Sequence, residues 1–134
     1  MEPFRMTVCL DTDVLIDCLR GLPQARAWLD QMAGESFIVP GIAAMELIIG
    51  CQNQADLKRT QEFLRAFDVV WPESRDFARA YELLAVHRLS SGLGIPDCLV
   101  AAMALARNMT LCTFNLKHYR VVPQLNAVEP YQRT

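Results

Sequence analysis

Basic residues are scarce in this chain. Lys and Arg number 13 against 15 Asp and Glu over 134 residues, giving a formal net charge of −2. That balance excludes a generally basic coat for nucleic acid, so any such ligand must be held by a local basic edge and by metal ions, with modest, salt-sensitive affinity. No Cys-x-x-Cys pair occurs among Cys9, Cys18, Cys51, Cys98 and Cys112, which argues against a zinc site. An odd number of scattered thiols suits a reducing cytosol and points to a cytoplasmic protein. No basic segment leads into an apolar stretch at the start, so no signal peptide is expected. Nor does any apolar run approach the ~20 residues of a membrane span. Aromatic residues make up 8%, which leaves the packing to Leu, Val, Ile and Ala. Repeats, low-complexity tracts and linkers are absent, so residues 1–134 are read as one domain, with 1–5 an extension ahead of the first strand.

What is present is an alternation of short apolar runs and longer helical patterns. The strand signals are Thr7–Leu10, Phe37–Val39, Val69–Trp71 and Thr110–Thr113, with Val121–Val122 and Ala127–Val128 as candidates for a fifth. Helices are predicted from Thr12 to Leu19 (ended by Gly21), from Pro23, from Ile42 to about Gly50, and from Gln54 to Phe67. Two more start near Ser74 and at Pro96, and Ser90 to Gly94 reads as a loop. Continuous apolar strands alternating with helices imply a three-layer α/β/α sandwich around a mostly parallel sheet. Ligands of such sheets bind off the carboxyl ends of the strands.

Three acids stand in apolar surroundings. Asp11 closes Met6-Thr7-Val8-Cys9-Leu10, Glu46 sits within Ile42–Ile49, and Asp97 opens Cys98–Leu105. A carboxylate in such a place must be paired, protonated or bound to metal. Simpler duties exist for two of them: an Asp or Thr of Asp11-Thr12-Asp13 can cap a helix, and Asp97 can serve the first turn after Pro96. Glu46 has Ile42, Ala43, Ile49 and Gly50 at helical spacing, so no same-face ion pair is available to it. Beyond the fourth strand signal, Thr113 and Asn115 offer neutral oxygens. Lys117, His118 and Arg120 place positive charge near the acidic edge, where they would steer phosphate. Arg20, Arg75 and Arg107 are the other candidate cations.

In order, the segments CLDTDVLID, IVPGIAAMELIIG and GIPDCLVAAMALARNMTLCTFNLKHY resemble the PIN-domain ribonucleases, specifically the VapC-type toxins of bacterial and archaeal toxin–antitoxin pairs. The likeness spans nearly the whole chain. It implies that Asp11, Glu46 and Asp97 bind one or two Mg²⁺ or Mn²⁺ ions, and that metal-activated water cuts a phosphodiester of structured RNA, often transfer or ribosomal RNA. Asn115 completes the catalytic set, at a position where many members carry a fourth acid, so the second metal site is weakened or water-mediated. Thr12, Asp13, Thr113, Lys117 and Arg120 are assigned to substrate contact. The resemblance also implies a homodimer and a small antitoxin laid over the acidic groove. The apolar set Leu57, Phe63, Leu64, Phe67 and Trp71 exceeds what a thin core absorbs and marks an interface.

Other readings of the same acids remain. Asp11-Thr12-Asp13-Val14-Leu15 fits the opening of a haloacid-dehalogenase-type phosphatase, but that family needs a Lys followed by an acidic pair. Here Lys117 is followed only by Glu129, and Asp97 precedes it. A receiver-like domain needs an Asp closing the third strand and a Lys closing the fifth, where Trp71 and Val128 stand. A degenerate PIN domain that only binds RNA or protein is the non-enzymatic alternative, resting on Asn115.

Overall fold

A computed structural model of the chain describes residues 7–134, so the proposed extension at 1–5 lies outside the described residues. Strand β1 (Thr7–Leu10) shows how the fold hides continuous apolar sequence. Its side chains alternate between two faces. Val8 and Leu10 enter one core cluster and Cys9 enters the other.

On the Val8 side the sheet is covered by α1 (Thr12–Leu19), α2 (Pro23–Gln31) and α3 (Gly41–Ile49), which contribute Leu15, Trp28 and Leu47. On the Cys9 side lie α5 (Ser74–Ser91) and α6 (Ile95–Ala106), which contribute Leu83 and Leu99. The remaining elements are β2 (Ser36–Pro40), α4 (Gln54–Leu64), β3 (Asp68–Val70), β4 (Thr110–Cys112), α7 (Leu116–Tyr119) and β5 (Ala127–Val128). Strand order is β3-β2-β1-β4-β5 and every pairing is parallel. The sheet is therefore all-parallel, and it is sandwiched between helices as the apolar strands require. Of the two candidates for a fifth strand, Ala127–Val128 takes the role.

Sequence punctuation sets the element ends. Gly21, at φ +75°, turns the chain out of α1, and Gly92, at φ +77°, does the same after α5; both positions favour a residue without Cβ. Pro23 and Pro96 occupy first-turn positions of α2 and α6. Beyond β4, residues 116–119 form the short helix α7, for which no helix was predicted above. It is too short to show a helical period. The expected apolar patch is partly absorbed: Phe63, Leu64 and Phe67 pack against the core, while Trp71 is 59% exposed with its ring against Gly41. The five thiols are free, and burial pushes Cys18 up to about 11 and Cys112 to about 12. Among the described residues no helix is long and apolar enough to cross a membrane.

Candidate active site

The parallel register builds the centre of the site. Leu10 pairs with Cys112, so the next residues, Asp11 and Thr113, leave the sheet side by side at its carboxyl edge. The Asp11 N–H donates to the Cys112 carbonyl at 3.0 Å and pins the backbone there. Thr113 is fully buried, and its hydroxyl donates to Asp11 Oδ2 at 2.8 Å while accepting the Asn115 N–H at 3.0 Å. Asp11 Oδ1 accepts the Thr12 N–H at 2.9 Å, so the acid also caps α1.

Glu46, in the second turn of α3, accepts the Thr12 hydroxyl at 2.8 Å. Asp97, in the first turn of α6, accepts the Gly94 N–H at 3.2 Å. Its other oxygen accepts the Tyr119 hydroxyl at 3.4 Å, and the Asp11 charge also bears on that hydroxyl. Thr12 thus joins Glu46 to Asp11, Thr113 holds Asp11, and Tyr119 holds Asp97, three acids from distant parts of the sequence. None of the three takes part in an ion pair among the described residues.

The electrostatics follow from that crowding. Asp11 is 9% exposed. Burial pushes its carboxyl up to about 6, with Asp13 and Asp97 adding to the rise and the Thr113 and Thr12 hydrogen bonds opposing it. Burial raises Asp13 too, against the Phe114 and Val14 N–H bonds and the charge of Arg133. Tyr119 is pushed far above its ordinary value by burial and by the nearby Asp11 and Asp97 charges, which keeps it a neutral donor.

The substrate-contact assignments divide. Lys117, on α7, and Arg120, just after it, are exposed beside Tyr119. Thr113 has no surface with which to meet RNA; it holds Asp11 from beneath. Asp13 spends both oxygens on backbone, accepting from Val14 N–H at 2.8 Å and Phe114 N–H at 2.9 Å. Asn115 turns its amide toward His118, with Nδ2 and Nδ1 3.0 Å apart. Of the reserve cations, Arg75 pairs with Glu73, and Arg107 with Asp76 and Glu73. Arg20 lines a groove of about 490 Å³ between α1, α3 and α4, together with Glu46 and Arg59.

Two contributions went unread in the sequence. In sequence the Tyr119 ring fits an ordinary core position, and its only signal is a hydroxyl close to Asn115 in the chain. The tail 129–134 folds back over α1: Tyr131 donates to Asp17 at 2.8 Å, and Arg133 Nε donates to the same carboxylate at 2.9 Å. The Arg133 guanidinium stands 4.0 Å from the centre of the Phe114 ring. No local pattern announces contacts more than a hundred residues apart.

Whether these residues suit a divalent ion can be judged from their donors. Among the described residues no three His, Cys, Asp or Glu side chains converge closely enough to cage an ion by themselves. The donors are nevertheless hard oxygens, one of them a carboxylate that burial makes costly to ionise unaided. Such a set suits Mg²⁺, which keeps several waters and takes only one or two carboxylates, better than a metal needing a full protein cage.

A parallel sheet ordered β3-β2-β1-β4-β5, with acids at its carboxyl edge, is the arrangement of the PIN domain, whose family profile matches residues 8–122. The chain belongs to that family. Within it, the chain is 33% identical over 121 residues to the ribonuclease VapC19 of Mycobacterium tuberculosis, a match covering 87% of this chain and 94% of the relative. A ribonuclease VapC of Rickettsia bellii is 28% identical over 133 residues, covering 92% and 96%. Among solved structures, a toxin–antitoxin complex from Klebsiella pneumoniae superposes with a TM-score of 0.76 at 26% identity, covering 93% of this chain and 98% of that one. VapBC2 of Rickettsia felis, bound to promoter DNA, gives 0.80 at 22%, covering 92% and 98%.

Proposed function

We propose that the chain is a Mg²⁺-dependent endoribonuclease, the toxin of a toxin–antitoxin pair, acting on structured RNA of the transfer or ribosomal class in the cytoplasm. The observation that carries this reading is the placement of Asp11, Asp97 and Glu46 at the carboxyl edge of the sheet, with Asp11 buried and none of the three in an ion pair among the described residues. The relatives named ribonuclease, and the toxin–antitoxin complexes of like fold, support it.

Asp11 and Asp97 would hold Mg²⁺ or Mn²⁺, with Glu46 as a third ligand or as an acceptor for a bound water. When present, the ion supplies a lowered pKa for water and positive charge against the charge that develops on the scissile phosphate. Thr113 and Thr12 keep the acids in place by donating to Asp11 and Glu46, so little rearrangement is needed at the moment of reaction. Lys117 and Arg120 supply the local attraction for RNA that the chain as a whole lacks. Neither histidine is required as a nucleophile's base.

The antitoxin is proposed to cover the groove that Glu46 helps to line, using a basic side chain to compensate the three acids. The second copy of a homodimer finds its apolar face on α5 and α6, where Phe77, Tyr81 and Ile95 are 54%, 74% and 62% exposed. Sedimentation equilibrium should report a dimer at tens of micromolar, and a monomer would remove that part of the proposal. The non-catalytic alternative draws on Asn115, which offers an amide where many relatives have an acid. Incubating structured RNA with the protein in Mg²⁺ and in EDTA separates the two. Cleavage in Mg²⁺ alone supports the enzyme, and binding without cleavage in either supports the module.

A further inference from the structure

We propose that Tyr119 is a positioning residue for the catalytic carboxylates, its buried hydroxyl fixing Asp97 relative to Asp11 so that the two can share a divalent cation. The inference rests on the nuclease reading above. Tyr119 is 1% exposed, and its ring belongs to the core cluster that also holds Leu93, Cys98 and Leu99. The hydroxyl is therefore placed by packed core rather than by a mobile surface chain. It donates to Asp97 Oδ1 at 3.4 Å, and the same core cluster holds Cys9 of β1, two residues before Asp11.

The remaining partners of the two acids explain why this link matters. Asp11 is held on both oxygens, by the Thr12 N–H and the Thr113 hydroxyl. Among the described residues Asp97 has only the Gly94 N–H on its other oxygen. Without Tyr119 the Asp97 carboxylate loses its bond to the core beside Asp11, and mutual repulsion would favour separation of the two acids. A phenol carries one donor proton, so it can satisfy only one of the carboxylates at a time. The arrangement thus leaves negative charge directed at the space a cation would use. Phenylalanine would fill the same core volume and lose only this function.

The test compares wild type, Tyr119→Phe, Tyr119→Leu and Asp97→Asn, each freed of metal. Mn²⁺ affinity is followed by the electron paramagnetic resonance of free Mn²⁺, alongside melting temperature and RNA cleavage kinetics. Tyr119→Phe should weaken Mn²⁺ binding about tenfold or more, in line with the loss of an outer hydrogen-bond partner to a ligand. It should also lower kcat with KM for RNA unchanged, and melt close to wild type without metal. Tyr119→Leu should show the same loss of Mn²⁺ and a lower melting temperature. If Tyr119→Phe keeps wild-type Mn²⁺ affinity while Asp97→Asn loses it, the positioning role is overturned and the nuclease reading stands. A Tyr119→Phe variant that loses Mn²⁺ only in step with its melting temperature also overturns it, in favour of simple packing. Failure of wild type to bind Mn²⁺ would overturn both.

Discussion

At the scale of single residues, the site stores its tension in Asp11. An aspartate of ordinary value near 3.8 is raised to about 6 by burial and by Asp13 and Asp97. The folded protein therefore holds this proton more tightly than the unfolded chain. Its contribution to stability is full at low pH and falls as pH rises from about 4 to about 6, to a cost of up to about 3 kcal/mol at neutrality. In EDTA, Asp11→Asn should accordingly be more stable than wild type at pH 7, with the gap closing toward pH 4. Urea unfolding at the two pH values measures this directly. A gap that does not change with pH would show that Asp11 ionises freely and that its burial is of no electrical consequence.

At the scale of elements, the acids depend on α5 and α6 staying in register. Arg107, after the last turn of α6, grips Asp76 at the start of α5 through two bonds of 3.0 Å, and the Asp76 side chain has no exposure. Burial alone would raise Asp76, but the Arg107 and Glu73 hydrogen bonds win and hold its carboxyl below the ordinary range. Arg107→Ala strands that carboxylate and should cost about 3 kcal/mol by urea unfolding. A loss under about 1 kcal/mol would mean that water replaces the guanidinium without penalty.

This pair also shows where sequence reading ends. Arg107 was a candidate for RNA contact because charge is visible in a sequence and its partner, 31 residues away, is not. The parallel sheet, the helices begun by Pro23 and Pro96, and the acids at Asp11, Glu46 and Asp97 were legible, because apolar periodicity and out-of-place charge are local signals. The duties of Thr113, Asp13, Tyr119 and Arg133 were not. They arise from register and long-range closure, which bring residues together without leaving any mark on their neighbours.

At the scale of the whole molecule, a chain of net charge −2 has to attract a polyanion. Exposed Lys117 on α7 and Arg120 just after it are cations beside Tyr119 with no ion-pair partner among the described residues. Replacing both with Ala should weaken RNA binding and flatten its dependence on salt, by a slope of about 1 to 2 in log–log terms. Fluorescence anisotropy across a salt series reads that slope, and an unchanged slope would move the basic edge to Arg20, Arg59 and Arg133. The central claim is that Asp11, Glu46 and Asp97, held by Thr113, Thr12 and Tyr119, form a nuclease centre. It is tested most directly by RNA cleavage at one Mg²⁺ concentration with wild type, Asp11→Asn and Asp97→Asn, after circular dichroism has shown all three folded. The account predicts cleavage by wild type and at least a hundredfold loss in each variant, whereas full cleavage by Asp11→Asn would contradict it.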